Sequence, residues 1–187
     1  MNKIKLFSVI IMIEVLIIIV LLVVFFFNWK ILSPETYKIK TTSDELIYSP
    51  DKSKPFTGKM QDTLNNKLIV EFEVVDGFKQ GEYILLTMDG NYAVQGYMNK
   101  NKNSGTWKYF YDNGKLECTG EFNNDVATGT WKWYYDTGTL KSSGTFINGK
   151  PDGRWFKYDQ YGILMMIVNY RNGEVVNAIQ IDLLAGV

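Results

Sequence analysis

Few side chains in this 187-residue chain have the chemistry of a catalyst. Histidine is absent and Cys118 is the one cysteine, which excludes a histidine general base, an intramolecular disulfide and a zinc site built from the usual Cys and His ligands. Asp112 and Asp136 recur, but they fall in Asp112-Asn113-Gly114 and Asp136-Thr137-Gly138, where Asp serves a turn by bonding its own backbone, so a turn role outweighs a metal or acid role. The pairs Gly58-Lys59 and Gly149-Lys150 lack both the earlier Gly and the following Ser or Thr of a phosphate-binding loop. Catalysis needs titratable groups converging in a pocket, and these residues supply none. The expectation is a protein without catalytic, cofactor-binding or metal-binding residues, a hydrolase being the remote alternative. Recognition remains, and its candidate residues are Phe110, Tyr134 and Tyr158, with Leu86 before them: a repeated aromatic column that can form a partner-binding surface. The bland alternative is that neighbouring chains or loops cover the column.

Those residues are positioned by a pattern written several times. GTWKYFYDNGKLECTGEF, Gly105 to Phe122, returns 24 residues later as GTWKWYYDTGTLKSSGTF, Gly129 to Phe146. Such a period marks a repeat architecture. Opening glycines stand at Gly81, Gly105, Gly129 and Gly153, with a looser copy at Gly58; two residues on come Tyr83, Trp107, Trp131 and Trp155, with Met60 in the loose copy. A second glycine column is Gly90, Gly114, Gly138 and Gly162, and a third is Gly96, Gly120 and Gly144, with Val168 in the last copy.

Within each copy the period is two, as in a strand. Trp107, Tyr109 and Tyr111 are expected on one face with Leu116, Cys118, Gly120 and Phe122; Lys108, Phe110 and Asp112 take the other. The Asp-Asn-Gly and Asp-Thr-Gly segments make each copy a β-hairpin, because hairpin loops need residues at positive φ. Asn123 to Thr128 and Asn148 to Asp152 are expected to connect one hairpin to the next. A lone hairpin is marginally stable, so the units must stack and bury their Trp, Tyr, Leu and Phe columns. Cys118 falls in that inward set, as a small core residue.

The flanks read differently. Residues 6–27, LFSVIIMIEVLIIIVLLVVFFF, are interrupted only by Ser8 and Glu14; as a helix they span about 33 Å, enough to cross a membrane core of about 30 Å. A cleaved signal peptide is the alternative, but the run is long and ends in Phe25, Phe26, Phe27 and Trp29 where small residues belong. Lys3 and Lys5 precede the span and only Lys30 closely follows it, favouring a cytoplasmic amino terminus and a body outside the cytoplasmic membrane. Glu14 either contacts a partner helix or is protonated or reaches toward the headgroups. The expected order is an anchor at 1–30, a linker at 31–57 with short strands at Tyr37 to Thr41 and Leu46 to Tyr48, the repeat array at 58–174, and an apolar tail at 175–187 that either caps the array or binds a partner. Basic and acidic residues number 20 each, so no field for nucleic acid is present.

The consecutive Gly-x-Trp-x-x-(Tyr/Phe)-Tyr-x-x-Gly-x-Leu units resemble the bacterial variant of the MORN repeat, and Lys54-Pro55-Phe56-Thr57-Gly58-Lys59 looks like the way such arrays begin. The resemblance covers about residues 46–174. It implies an all-β fold, an elongated, curved antiparallel sheet of stacked 24-residue hairpins, here preceded by one amino-terminal transmembrane helix. Proteins of this kind are often labelled antitoxins, and the eukaryotic repeats are associated with membrane attachment, lipid binding or dimeric scaffolds; the histidine-glycine element of the latter is lacking here. The leading expectation is a membrane-anchored, non-enzymatic binding or scaffold module with a protein or envelope partner, and the alternative is an antitoxin-like protein that neutralises a cognate toxin. A carboxy-terminal fusion to a reporter active only outside the cytoplasm tests the topology. Activity is expected, and a silent reporter with normal expression refutes it.

Overall fold

In a computed structural model of the protein, the residues described are 46–49 and 54–181. The anchor expected at residues 6–27 and the strand expected at Tyr37 to Thr41 lie outside them. Among the described residues no helix is long and apolar enough to cross a membrane.

Short turns join strands of period two, so each strand pairs with the next in the chain. The result is a single antiparallel sheet of eleven strands in sequential order: β1 (Gly58–Leu64), β2 (Leu68–Val75), β3 (Phe78–Thr87), β4 (Tyr92–Asn99), β5 (Lys102–Phe110), β6 (Leu116–Asn123), β7 (Val126–Tyr134), β8 (Leu140–Ile147), β9 (Lys150–Tyr158), β10 (Leu164–Arg171) and β11 (Glu174–Gln180). The linker end does not form the strand expected at Leu46 to Tyr48. Tyr48 makes an isolated bridge to Pro55, and the Ile47 amide donates to the Gly77 carbonyl at 2.8 Å.

Two kinds of turn alternate along the meander. In the first, the amides of Thr87, Tyr111, Tyr135 and Asp159 donate to the carbonyls of Asn91, Lys115, Thr139 and Ile163, and Gly90, Gly114, Gly138 and Gly162 bond back to the residue that opens each turn. These are the Asp and Gly turns read from the sequence. The second kind was expected to be a looser connection between copies. It is tighter, because two consecutive residues at positive φ, such as Asn124 (49°) and Asp125 (68°) or Asn148 (52°) and Gly149 (75°), close a two-residue hairpin. Every connection between copies is thus a hairpin, and the repeat boundary has no structural seam.

One face carries the core. Trp107, Tyr109, Trp131, Trp133 and Trp155 are buried, with Trp131 at 0% exposure. Their rings form a continuous series running from Phe72 through Tyr83, Trp107, Phe122, Trp131, Phe146 and Trp155 to Tyr170, with successive centroids 5.1 to 6.1 Å apart. From Trp107 onward the contacts are edge-to-face, and such pairs contribute beyond the area they bury.

The third glycine column makes this series possible. A Cβ added at Gly96 would lie 2.2 Å from Cδ2 of Trp107, one at Gly120 would lie 2.0 Å from Cδ2 of Trp131, and one at Gly144 would lie 2.1 Å from Cδ2 of Trp155. Each indole therefore lies flat on a bare stretch of backbone in the preceding strand. The strand carrying it is bulged there: between the pairs Gln95↔Lys108 and Tyr97↔Ser104, the three residues Gly105-Thr106-Trp107 face Gly96 alone. Bulges bend and twist a strand. Gly105 and Gly129 accept the bend at φ 66°, a region costly for other residues.

The seat fails at both ends. Phe72 is the cross-strand partner of Tyr83, and Val168 pairs with Ala178 of β11, so neither end offers the bare backbone on which an indole could lie. β11 forms from the tail read as a cap or a partner-binding segment, and it is the last strand of the sheet, exposed along its whole length.

Gly120→Ala is expected to destabilise the protein by more than the 1 to 2 kcal/mol or so of a Gly→Ala change at an open left-handed turn position such as Gly114. Trp131→Ala should cost about 3 to 5 kcal/mol. The double variant should lose clearly less than the sum, since the indole that the new methyl group strikes is gone. Denaturant melts of the four proteins check this, and strict additivity would remove the seat as the cause.

Candidate functional site

The sheet's second face is built by the same alternation. Phe110, Tyr134 and Tyr158 end β5, β7 and β9 on the face opposite their buried neighbours Tyr109 and Trp133 and the half-buried Lys157. All three are half-buried. They are not adjacent, because β6 and β8 run between them.

What fills the gaps is the leucine column that the alternation had placed on the tryptophan face. Between the pairs Tyr109↔Cys118 and Phe110↔Leu116, β6 holds one extra residue, Glu117. Cross-strand partners share a face, so Leu116 joins Phe110. The same slip pairs Leu86 with Tyr92, Tyr134 with Leu140 and Tyr158 with Leu164. Tyr92 confirms the geometry, its ring centroid lying 6.0 Å from that of Phe110. The candidate surface is thus a strip eight residues long, running Leu86, Tyr92, Phe110, Leu116, Tyr134, Leu140, Tyr158 and Leu164 from strand to strand. Sequence reading found half of it and missed Tyr92 and the three later leucines, since Leu116-Glu117-Cys118 alternates without interruption and carries no mark of the bulge.

The strip is held in place from the turn side. The Tyr111 hydroxyl donates to the Tyr134 carbonyl at 2.7 Å, and the Tyr135 hydroxyl donates to the Tyr158 carbonyl at 2.8 Å. Asn113 Nδ2 and Lys115 Nζ donate to the carbonyls of Asp136 and Thr137. The β5–β6 hairpin end is thereby tied to the β7–β8 end, and that one to the end of β9, which fixes the backbone beneath Phe110, Tyr134 and Tyr158. Beside it, two residues earlier on their strands, Lys108 and Lys132 are exposed.

The remaining reactive groups sit elsewhere. Cys118 is buried, and burial, with Glu117 beside it, pushes its thiol above the ordinary range, the opposite of what a nucleophilic thiolate needs. Lys157 stands on the core face in the place held by Tyr109 and Trp133 in earlier copies; burial, and then the charge of Lys141, hold its ammonium below the usual value. Among the described residues no group of three or more His, Cys, Asp or Glu is placed to hold a metal ion.

An antiparallel sheet of tandem hairpins, with aromatic core on one face and an apolar strip on the other, defines a β-hairpin repeat protein. Residues 104–124 and 127–148 match the MORN repeat variant, which supports the MORN-repeat family as the source of the period. No curated protein matches the chain.

Tyr83 follows Phe72 in the aromatic series, and burial pushes its hydroxyl up to about 12. Below pH ~10, the ordinary tyrosine value, folded and unfolded chains both keep this proton. Between about 10 and 12 only the unfolded chain releases it, so stability is lost as pH rises through that window, by an amount on the order of 2 to 3 kcal/mol. Thermal melts of Tyr83→Phe are expected to fall less steeply over this range than those of the parent chain. Parallel curves would show that Tyr83 does not carry the alkaline loss.

Proposed function

We propose that the protein is a non-enzymatic binding or scaffold module, anchored in the membrane through residues 6–27, with its repeat body outside the cytoplasmic membrane, where the sheet engages a protein partner. The observation that carries this reading is the strip on the second face. The core face already satisfies the stacking needs of the aromatic rings, whereas Phe110, Tyr134 and Tyr158, with exposed Tyr92 (46%) beside them, repeat on the other face without serving that core. A row of partly exposed aromatics on rigid strands suits a contact surface, since such side chains bring large area at low entropic cost.

Residue-specific photocrosslinking in intact cells tests it. A photoreactive phenylalanine at position 110, 134 or 158 is expected to give a shared, discrete adduct that is absent when the probe replaces exposed Gln61 on β1. Adducts of equal yield at all four positions, or none at the strip, would sink the reading. Capture of a toxin that this chain neutralises would replace the scaffold role with the antitoxin role.

A further inference from the structure

The strip has a spacing, and the spacing selects a ligand. Phe110, Tyr134 and Tyr158 lie on β5, β7 and β9, every second strand of the sheet. Neighbouring strands are about 4.8 Å apart, so the backbone step beneath the aromatic residues is roughly 9.6 Å. A polyproline II helix advances about 3.1 Å per residue with three residues per turn, a step of about 9.3 Å that returns every third residue to the same side. Over the two steps from Phe110 to Tyr158 it drifts by only about 0.6 Å. An α-helix presenting every seventh residue steps about 10.5 Å and drifts by roughly 1.8 Å. An extended strand presents alternate residues every ~6.6 Å, and its three-residue step points the side chain away.

A second, independent observation concerns charge. Lys108 and Lys132 precede Phe110 and Tyr134 by two residues on the same face, repeat with the same step, and are exposed. Lys59 Nζ pairs with Glu73 Oε1 at 3.6 Å, whereas among the described residues no carboxylate pairs with Lys108 or Lys132. In the next copy Phe156 takes the lysine position. The strip therefore offers an aromatic row and, alongside it in the same period, two cations followed by an apolar side chain.

We infer that the strip docks a proline-rich protein segment in the polyproline II conformation, with acidic residues at every third position. Prolines pack on the aromatic rings, across the leucines that lie between them, as in other recognition surfaces for preformed polyproline helices, and carboxylates reach Lys108 and Lys132. This rests on the binding-module reading and narrows it to one ligand chemistry.

The test uses the full-length chain in neutral detergent micelles and three synthetic twelve-residue peptides, (Glu-Pro-Pro)4, (Lys-Pro-Pro)4 and (Glu-Gly-Gly)4, with binding followed by fluorescence anisotropy. (Glu-Pro-Pro)4 is expected to bind at least about tenfold more tightly than the other two, and Tyr134→Ala to weaken it by roughly tenfold, as loss of a central aromatic contact does. Tyr134 is half-buried, and an unchanged circular dichroism spectrum separates lost contact from lost fold. Lys108→Glu/Lys132→Glu, which alters only exposed positions, is expected to reverse the preference toward (Lys-Pro-Pro)4. Equal binding of (Glu-Gly-Gly)4 would reduce the site to charge alone and overturn the proposal. So would failure of every peptide, or binding untouched by Tyr134→Ala. Micelles doped with phosphatidylglycerol that compete with the peptide in a Lys108- and Lys132-dependent way would assign the strip to lipid instead. Crosslinks at positions 110, 134 and 158 without peptide binding would remove this proposal and leave the binding-module reading standing.

Discussion

The contact on which this structure depends is an indole lying on a glycine of the strand before it. Trp107 on Gly96, Trp131 on Gly120 and Trp155 on Gly144 leave no space for a single added carbon. A one-layer sheet has no second sheet to bury its aromatic face, so the rings must bury one another. They do this by stepping from strand to strand, alternating edge-to-face contacts with the phenylalanines of β6 and β8. Glycine provides the depth and the bulge opposite it provides the reach. Neither is useful alone, which is why the two glycine columns recur with the tryptophan in one unit.

This contact also explains why the array is finite. A further copy can stack only where the last strand offers bare backbone, and Val168 occupies that position. At the other end Phe72 faces Tyr83, and a stacked pair of rings 6.1 Å apart replaces the indole on its seat. At the Val168 end the bulge changes too. β10 and β11 slip by one residue instead of two, so Ala178 and not Ile179 comes opposite Val168. The aromatic series ends where its substrate of bare glycine ends.

A different irregularity shapes the outer face. One extra residue at Glu117, and its counterparts in the other hairpins, turns the leucines away from the tryptophans and inserts them between the aromatic residues of the second face. A broken row of three rings becomes a continuous strip. The ties from Tyr111 and Tyr135 to the next hairpin hold the strip's backbone at a fixed step, and a regular step is what a periodic ligand can read. Core and surface thus follow from two separate bulges in the same repeat, one before the tryptophan and one after the turn.

Much of this was legible in the residues. The 24-residue period, the hairpin turns at Asp112-Asn113-Gly114 and Asp136-Thr137-Gly138, the inward place of Trp107, Trp131 and Cys118, and the outward column of Phe110, Tyr134 and Tyr158 all follow from alternation and turn chemistry, which are local. The side of the sheet taken by Leu116 was not legible. It depends on a one-residue slip against Phe110, set by pairing between strands, and alternation counts residues along one strand only. For the same reason the sequence marked Gly120 as special without saying why; its partner, Trp131, is eleven residues away in the chain and directly above it in the fold. The sequence alone determined which elements form and how often they recur, because periodicity and turn preference act between near neighbours. The tertiary structure decided which face each column joins and what the glycines are for, because register and close approach exist only between strands.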